Sequence, residues 1–209
     1  MFELCVITDR VASNGLSEAE VARLAYAGGA DIVQLRMKGS DGREMLEQAR
    51  AVSALSEEHA RLFIVNDRVD IALLSGADGV HLGLSDIPIA DARGLLGDDM
   101  IIGASVHDAE EAVAAESAGA DYVSVGSVFR TSTKPDAQHG RGLDAVFTVR
   151  QAVDIPVMAI GGINRGNVQD VIRAGADGVA VASAVVSQKD VSAAAHELRD
   201  MILKVRPNI

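Results

Sequence analysis

Tryptophan is absent from these 209 residues, phenylalanine occurs four times and tyrosine twice. The interior must therefore be filled by Ala, Val, Ile and Leu, side chains that suit the layered packing of a small barrel. The single cysteine, Cys5, excludes an intramolecular disulfide, and its place in the first apolar run reads as a small buried hydrophobe. Basic residues are also in short supply: 19 against 30 acidic ones, a formal net charge of −11. Nonspecific nucleic-acid binding needs a basic face, which this balance does not provide. Any anion bound here must be held by a few local cations and by backbone N–H groups. No apolar run approaches the length of a membrane span, and the Phe2-Glu3-Leu4 start has neither the basic residues nor the apolar stretch of a secretory signal. These absences predict a cytoplasmic protein with no membrane or nucleic-acid partner. Motifs for a Cys/His metal cluster, a P-loop or a nucleophile elbow are missing as well.

What is present is a repeat. Gly-Ala-Asp occurs four times, at Gly29-Ala30-Asp31, Gly76-Ala77-Asp78, Gly119-Ala120-Asp121 and Gly175-Ala176-Asp177. Each copy opens a short apolar run: Ile32 to Leu35, Gly79 to Leu82, Tyr122 to Val125 and Gly178 to Val181. A helix that ends in Gly and turns into a buried strand gives this pattern, because Gly accepts the left-handed conformation at a helix end. The copies lie roughly 45–55 residues apart, about twice the length of one strand-plus-helix unit. One further strand-like run sits between successive copies, at Leu62–Val65, Met100–Ala104 and Val157–Ile160, and another precedes the first at Leu4–Thr8. Eight βα units in one chain of this length predict an α/β protein, a single-domain (β/α)8 TIM barrel over 1–209. Its chemistry belongs at the C-terminal ends of the strands. Ser17 with Glu20 predicts a capping box at the first helix, and helices are expected over Gly42–Ala60 and Val191–Val205.

Polar residues collect at those ends. The second run continues as Gln34-Leu35-Arg36-Met37-Lys38, and strand alternation predicts Gln34, Arg36 and Lys38 on one face. Three such residues in a plain core would each need a partner, since an unpaired buried charge is costly. Asn66 and Asp67 close the third run and Asp86 follows the fourth. Two carboxylates from adjacent strand ends suit a Mg²⁺ whose other positions are taken by water and phosphate oxygens. A helix cap is the plainer reading of Asp86, which precedes Ile87-Pro88. Ser105 and His107 end the fifth run, and His81 lies in the fourth with no evident triad partner. Gly161-Gly162 after the seventh run and Ala182-Ser183 after the eighth are small enough to let backbone N–H groups approach an anion, at the usual place for a barrel phosphate site. The longest stretch without periodicity, Arg130 to Gly142, carries Thr131-Ser132-Thr133-Lys134, three hydroxyls and a cation suited to closing over an anionic substrate. His139 and Arg141 in the same stretch are assigned no role. The mouth thus has two anion sites, one cationic and metal-assisted, the other built from backbone groups. Joining two phosphorylated molecules, or rearranging one, fits that arrangement.

Taken in order, Ile7-Thr8-Asp9, Gln34-Leu35-Arg36-Met37-Lys38, Asn66-Asp67-Arg68, His81-Leu82-Gly83, Thr131-Ser132-Thr133-Lys134 and Ala159-Ile160-Gly161-Gly162-Ile163 resemble the thiamine phosphate synthase family. The resemblance runs from Ile7 to Ser183. It implies condensation of 4-amino-2-methyl-5-hydroxymethylpyrimidine diphosphate with a thiazole phosphate, releasing diphosphate. It also implies that Gln34, Arg36, Lys38 and Asn66 hold the pyrimidine diphosphate and that Asp67 and Asp86 hold Mg²⁺. Lys134 would contact the diphosphate as well, and Ser105 the pyrimidine side. Thr131, Ser132, Thr133, Gly162, Ala182 and Ser183 would surround the thiazole phosphate. Arg36, Lys38 and Lys134 would carry the catalytic charge stabilisation. Two positions depart from the family's pattern: Met37 stands where an acidic residue is common, and Leu84 where Gln is common. The sequence leaves the oligomeric state open, homo-oligomers included.

Two other readings share the barrel. A thiazole tautomerase would need a histidine where Ser127 stands, and that branch generally lacks the diphosphate-binding set. A noncatalytic thiazole-phosphate-binding regulator would have no use for Asp67 and Asp86.

Overall fold

The computed structural model of the chain describes residues 3–131 and 140–206. Ser132, Thr133, Lys134 and His139 lie outside the described residues. The elements alternate as β1 Leu4–Ile7, α1 Glu18–Ala27, β2 Ile32–Leu35, α2 Gly42–His59, β3 Leu62–Asn66 and α3 Val69–Ser75. They continue as β4 Gly79–Leu82, α4 Ile89–Leu96, β5 Ile101–Val106, α5 Ala109–Ser117, β6 Tyr122–Gly126 and α6 Gly142–Ala152. The chain then forms β7 Val157–Ile160, α7 Val168–Arg173, β8 Gly178–Val181, the short α8 Ser183–Val186 and α9 Val191–Leu203. Every strand is parallel to the next, and β8 returns to β1 with Ala180 opposite Cys5, closing the expected barrel. Among the described residues no helix is long and apolar enough to cross a membrane.

Alternation sorts the strand side chains into two cores. Leu4, Val6, Val33, Leu35, Phe63, Val65, Val123 and Val125 face the helices, where they pack on residues such as Ala25, Ala49 and Leu198. Cys5, Ile7, Ile32, Ile64, Tyr122, Met158 and Ala180 fill the barrel interior. Apart from Tyr122 and Met158, small and branched side chains do this work, as the scarcity of aromatics requires. The capping box at α1 is present: Ser17 accepts from the Glu20 N–H, and the Glu20 carboxylate accepts from the Ser17 N–H at 2.9 Å. All four Gly of the repeat are left-handed, with φ of 91°, 73°, 99° and 108° at Gly29, Gly76, Gly119 and Gly175.

The Asp of each repeat does more than open a strand. Asp31, Asp78, Asp121 and Asp177 each donate a backbone N–H to the carbonyl of Leu4, Phe63, Ile102 and Val157 respectively, at 2.8–2.9 Å. Their carboxylates accept the N–H of those same four residues, at 3.2, 2.7, 2.7 and 2.8 Å. The repeat thus clamps β2 to β1, β4 to β3, β6 to β5 and β8 to β7 at the N-terminal rim. The four gripped residues are wholly buried. A buried N–H without an acceptor costs about 1–3 kcal/mol, so each carboxylate removes a penalty that a strand start would otherwise carry. Arginines hold three of the four carboxylates in place: Arg61 on Asp31 at 2.7 Å, Arg93 on Asp121 at 2.5 Å and Arg150 on Asp177 at 2.8 Å. Asp31 is the buried member of the set, and it also accepts from the Glu3 N–H at 3.1 Å.

Asp31→Ala should therefore destabilise the barrel by about 2–4 kcal/mol, because two N–H groups and Arg61 lose their acceptor. Asp121→Ala, which removes a more exposed carboxylate and frees one N–H, that of Ile102, should cost roughly half as much. Urea denaturation followed by far-UV circular dichroism measures both, and equal or negligible losses would remove the clamp from the account.

Candidate active site

The C-terminal ends of β2, β3 and β4 bring together the polar set expected from the sequence, with one change of geometry. Gln34 is buried on β2, and its Nε2 lies 3.5 Å from Asn66 Oδ1 at the end of β3, too long for a strong hydrogen bond. β2 stops at Leu35, so Arg36 lies just beyond it and Lys38 in a turn that Gly39 completes at φ 82°. The expected strand alternation therefore does not extend to Lys38. Arg36 keeps its place because its N–H donates to Thr8 Oγ1 at 3.0 Å and its guanidinium meets Asp9 Oδ2 at 3.2 Å. Asp9 is itself oriented by the N–H groups of Val11 and Ala12 on its Oδ1. Lys38 is 60% exposed and stands 3.9 Å from Asp67 Oδ2. Each of the three polar residues has a partner, but the Gln34 and Lys38 contacts are loose and lie at an open mouth. Such groups can turn to a ligand at little cost. Met37 is buried in the outer core, so its departure from the family pattern faces away from the mouth, and Leu84 is exposed.

Asp67 adopts a left-handed backbone at φ 67°, with its N–H on the His81 carbonyl at 2.9 Å. Asp tolerates this conformation better than most residues, yet holding it there costs on the order of 1 kcal/mol. Asp86 does not cap α4, whose N-terminus at Pro88 has no side-chain cap. Its Oδ2 instead accepts the Gly83 N–H at 2.7 Å, which orients the carboxylate within the turn after β4. Among the described residues no three His, Cys, Asp or Glu side chains group into a metal cluster. Two carboxylates at adjacent strand ends are the donor set that Mg²⁺ uses when substrate phosphates and water complete its shell. The residues present fit that ion.

The opposite side of the mouth is built from β6, β7 and β8. Gly161 and Gly162 are both left-handed, at φ 100° and 66°. A Cβ on Gly162 would come within 2.7 Å of the Arg130 carbonyl, and one on Gly161 within 2.7 Å of the Ser127 Cα, so loops six and seven pack too closely for any side chain there. Asn164 and Asn167 both donate to the Gly162 carbonyl, at 3.1 and 3.0 Å, and fix the turn. β8 ends at Val181; Ala182 and Ser183 then lead into α8, a short helix that the sequence reading did not foresee. Thr131, in loop six, is half-buried, and Arg141 is exposed just before α6.

Between the two sides lies a small cavity that opens to solvent, with Gln34, Arg36, Asn66, His81, Ser105 and Ser124 among its lining residues. Its floor is polar. His81 is buried, with Nδ1 2.9 Å from the Tyr122 hydroxyl and Nε2 2.9 Å from Ser105 Oγ. Ser105 lies within β5 rather than after it. Ser124 Oγ is buried and has no hydrogen-bond partner among the described residues. Tyr122 and Ser124 escape notice as part of an apolar run; stepping two residues at a time from Tyr122 would have placed both on the interior face. Cys5 also lines the cavity, and burial, reinforced by the charge of Asp31, pushes its thiol up to about 12, which leaves it inert. The other described histidines belong elsewhere: His59 stacks on Tyr26, His107 pairs with Glu111 and His196 with Asp200.

The sequence profile of the family described as thiamine monophosphate synthase matches residues 4–185. A thiamine-phosphate synthase of Methanoculleus marisnigri is 50% identical over 201 residues, covering 96% of this chain and 95% of its own. One of Chloroflexus aurantiacus is 49% identical over 201 residues, covering 96% and 93%. The solved structure of a thiamine phosphate pyrophosphorylase from Pyrococcus furiosus superposes with a TM-score of 0.91 at 45% identity, covering 98% of this chain and 96% of that one. A 3-hexulose-6-phosphate synthase structure, at 22% identity and a TM-score of 0.66, shares the fold alone. With identity near one half across nearly the whole length, the chain belongs to the thiamine monophosphate synthase family.

Proposed function

We propose that this chain is a thiamine-phosphate synthase that joins 4-amino-2-methyl-5-hydroxymethylpyrimidine diphosphate to a thiazole phosphate, with release of diphosphate. The observation that carries the reading is the convergence of Gln34, Arg36, Asn66 and Ser105 on one cavity, with Lys38, Asp67 and Asp86 on the strand ends around it. The identity to thiamine-phosphate synthases over nearly the whole chain supports it.

In the reaction the bond from the pyrimidine methylene to the diphosphate oxygen breaks, and its electron pair leaves with the diphosphate. The thiazole nitrogen then attacks the pyrimidine-stabilised cation with its lone pair. No proton need move, so the site has no use for a general base. The barrier falls mainly through stabilising charge on the departing group. Arg36, pre-oriented by Asp9, and Lys38, held by little besides Asp67, are suited to that role, with Lys134 from loop six as the third cation. Mg²⁺ held by Asp67 and Asp86 would neutralise further charge on the same leaving group. Gln34 and Asn66 orient the pyrimidine diphosphate. Thr131, Ser132, Thr133, Gly162, Ala182 and Ser183 surround the thiazole phosphate, where left-handed glycines leave backbone groups uncovered. Ser127, packed against Gly161, offers no base for the tautomerase alternative.

Pure protein supplied with both substrates should form thiamine phosphate with Mg²⁺ and lose that activity in a chelator. Product formed equally well without a divalent ion would remove Asp67 and Asp86 from the metal role. Lys134→Ala should lower kcat by about 10²-fold, the cost of one charge-stabilising donor, with a native melting temperature. Unchanged turnover would sink that role. Gly162→Ala should raise KM for the thiazole phosphate much more than KM for the pyrimidine diphosphate, because the added Cβ displaces loop six. Steady-state kinetics with each substrate varied in turn would show the split.

A further inference from the structure

The floor of the cavity carries an array that neither the metal side nor the phosphate side explains. Three adjacent strands contribute one residue each: Tyr122 from β6, His81 from β4 and Ser105 from β5, joined by two contacts of 2.9 Å. Seen as a triad, the array is wrong for nucleophilic catalysis. The position beyond the imidazole is a phenol rather than a carboxylate, so nothing there stabilises an imidazolium.

The direction of the hydrogen bonds follows from the phenol. Tyr122 is 8% exposed, and burial raises its pKa well above the ordinary 10, so it keeps its proton. Among the described residues its hydroxyl has one hydrogen-bond partner, His81 Nδ1. A buried O–H with a single neighbouring acceptor donates to it, because the alternative leaves the proton unpaired. Nδ1 must then be bare and Nε2 must carry the ring proton. Nε2 faces Ser105 Oγ, which accepts that proton and must aim its own O–H elsewhere, toward the open cavity. An imidazole already protonated on Nε2 cannot take a proton from Ser105.

We propose that Tyr122 is a positioning residue, which locks His81 in the Nε2–H tautomer so that Ser105 presents a hydrogen-bond donor to an sp² ring nitrogen of the bound heterocycle. That the ring is the substrate's pyrimidine rests on the function proposed above. The fold makes room for the lock. Gly103, on β5 two residues before Ser105, lies under the Tyr122 ring, and a Cβ there would come within 2.0 Å of it. The Tyr122 and His81 rings stand 5.5 Å apart between centroids, so packing as well as hydrogen bonding holds the imidazole. A donor set in advance by rigid strands loses little freedom on binding.

The test combines a spectrum with kinetics. In the full chain labelled with ¹⁵N-histidine, His81 should show a bare Nδ1 and a protonated Nε2. Tyr122→Phe, which removes one oxygen and keeps the ring, should give a mixture of tautomers. The same variant should raise KM for the pyrimidine diphosphate about tenfold, the scale of one lost hydrogen bond in a dry site, while KM for the thiazole phosphate stays put. Ser105→Ala should have a similar effect, and the double variant should be no worse than Ser105→Ala alone, since both act through one contact. A wild-type spectrum with the proton on Nδ1 would overturn the proposal. So would additive effects of the two substitutions, or an unchanged KM in Tyr122→Phe. If the wild-type protein makes no thiamine phosphate at all, the proposed reaction fails, and the spectrum still decides the tautomer.

Discussion

A parallel barrel leaves backbone groups without partners at both rims, and this chain treats the two rims differently. At the N-terminal rim, four carboxylates accept the first buried N–H of β1, β3, β5 and β7, and the same four residues donate back to the carbonyls beside them. The strands are thereby joined in pairs at their starts. Left-handed glycines bring each Asp to its strand start, and Arg61, Arg93 and Arg150 keep three of the carboxylates from turning away. The outer core, the spacing of strands and the aim of every strand end depend on that rim.

The C-terminal rim is left open to chemistry. Its two described cations on β2's end sit in longer contacts, 3.9 Å for Lys38 with Asp67 and 3.2 Å for Arg36 with Asp9, against 2.7 Å for Arg61 with Asp31. The clamps give a stable body, and the looser Lys38 contact leaves a group that is ready to exchange a neighbour for a ligand. Between the rims the interior changes character along the barrel axis. Ile32 and Ile64 fill the lower part, whereas Gln34, Asn66, Ser105 and Ser124 line the cavity above. Alternation with period two makes this possible, because a polar residue can face the cavity while its strand neighbours stay in the outer core.

Much of this was readable in the chain. The Gly-Ala-Asp repeat located every second strand, and the apolar runs between copies located the others. The strand-end residues around Asp67 and Asp86 were visible because charges are rare inside apolar runs. Less visible were residues whose type fitted their surroundings. Tyr122 and Ser124 sit in a run that reads as plain strand, and the Asp of the repeat looks like an ordinary turn residue. Lys38 illustrates the other limit: strand alternation extrapolated past Leu35 misses the turn that Gly39 completes. The short α8 after Ala182 carries too few residues to show a helical period.

By itself the sequence determined the fold class, the number of βα units and the end of the barrel where chemistry belongs, because periodicity and helix-end glycines are local and repeat along the chain. It also determined, through the ordered strand-end residues, the family to which those ends correspond. Only the tertiary structure decided who touches whom across strands: the carboxylate that meets each buried N–H, the Asp9 that holds Arg36, and the Tyr122–His81–Ser105 array on the cavity floor. Those contacts join residues 15 to 41 positions apart. They depend on barrel register, which is set by the closure of all eight strands and not by any segment alone.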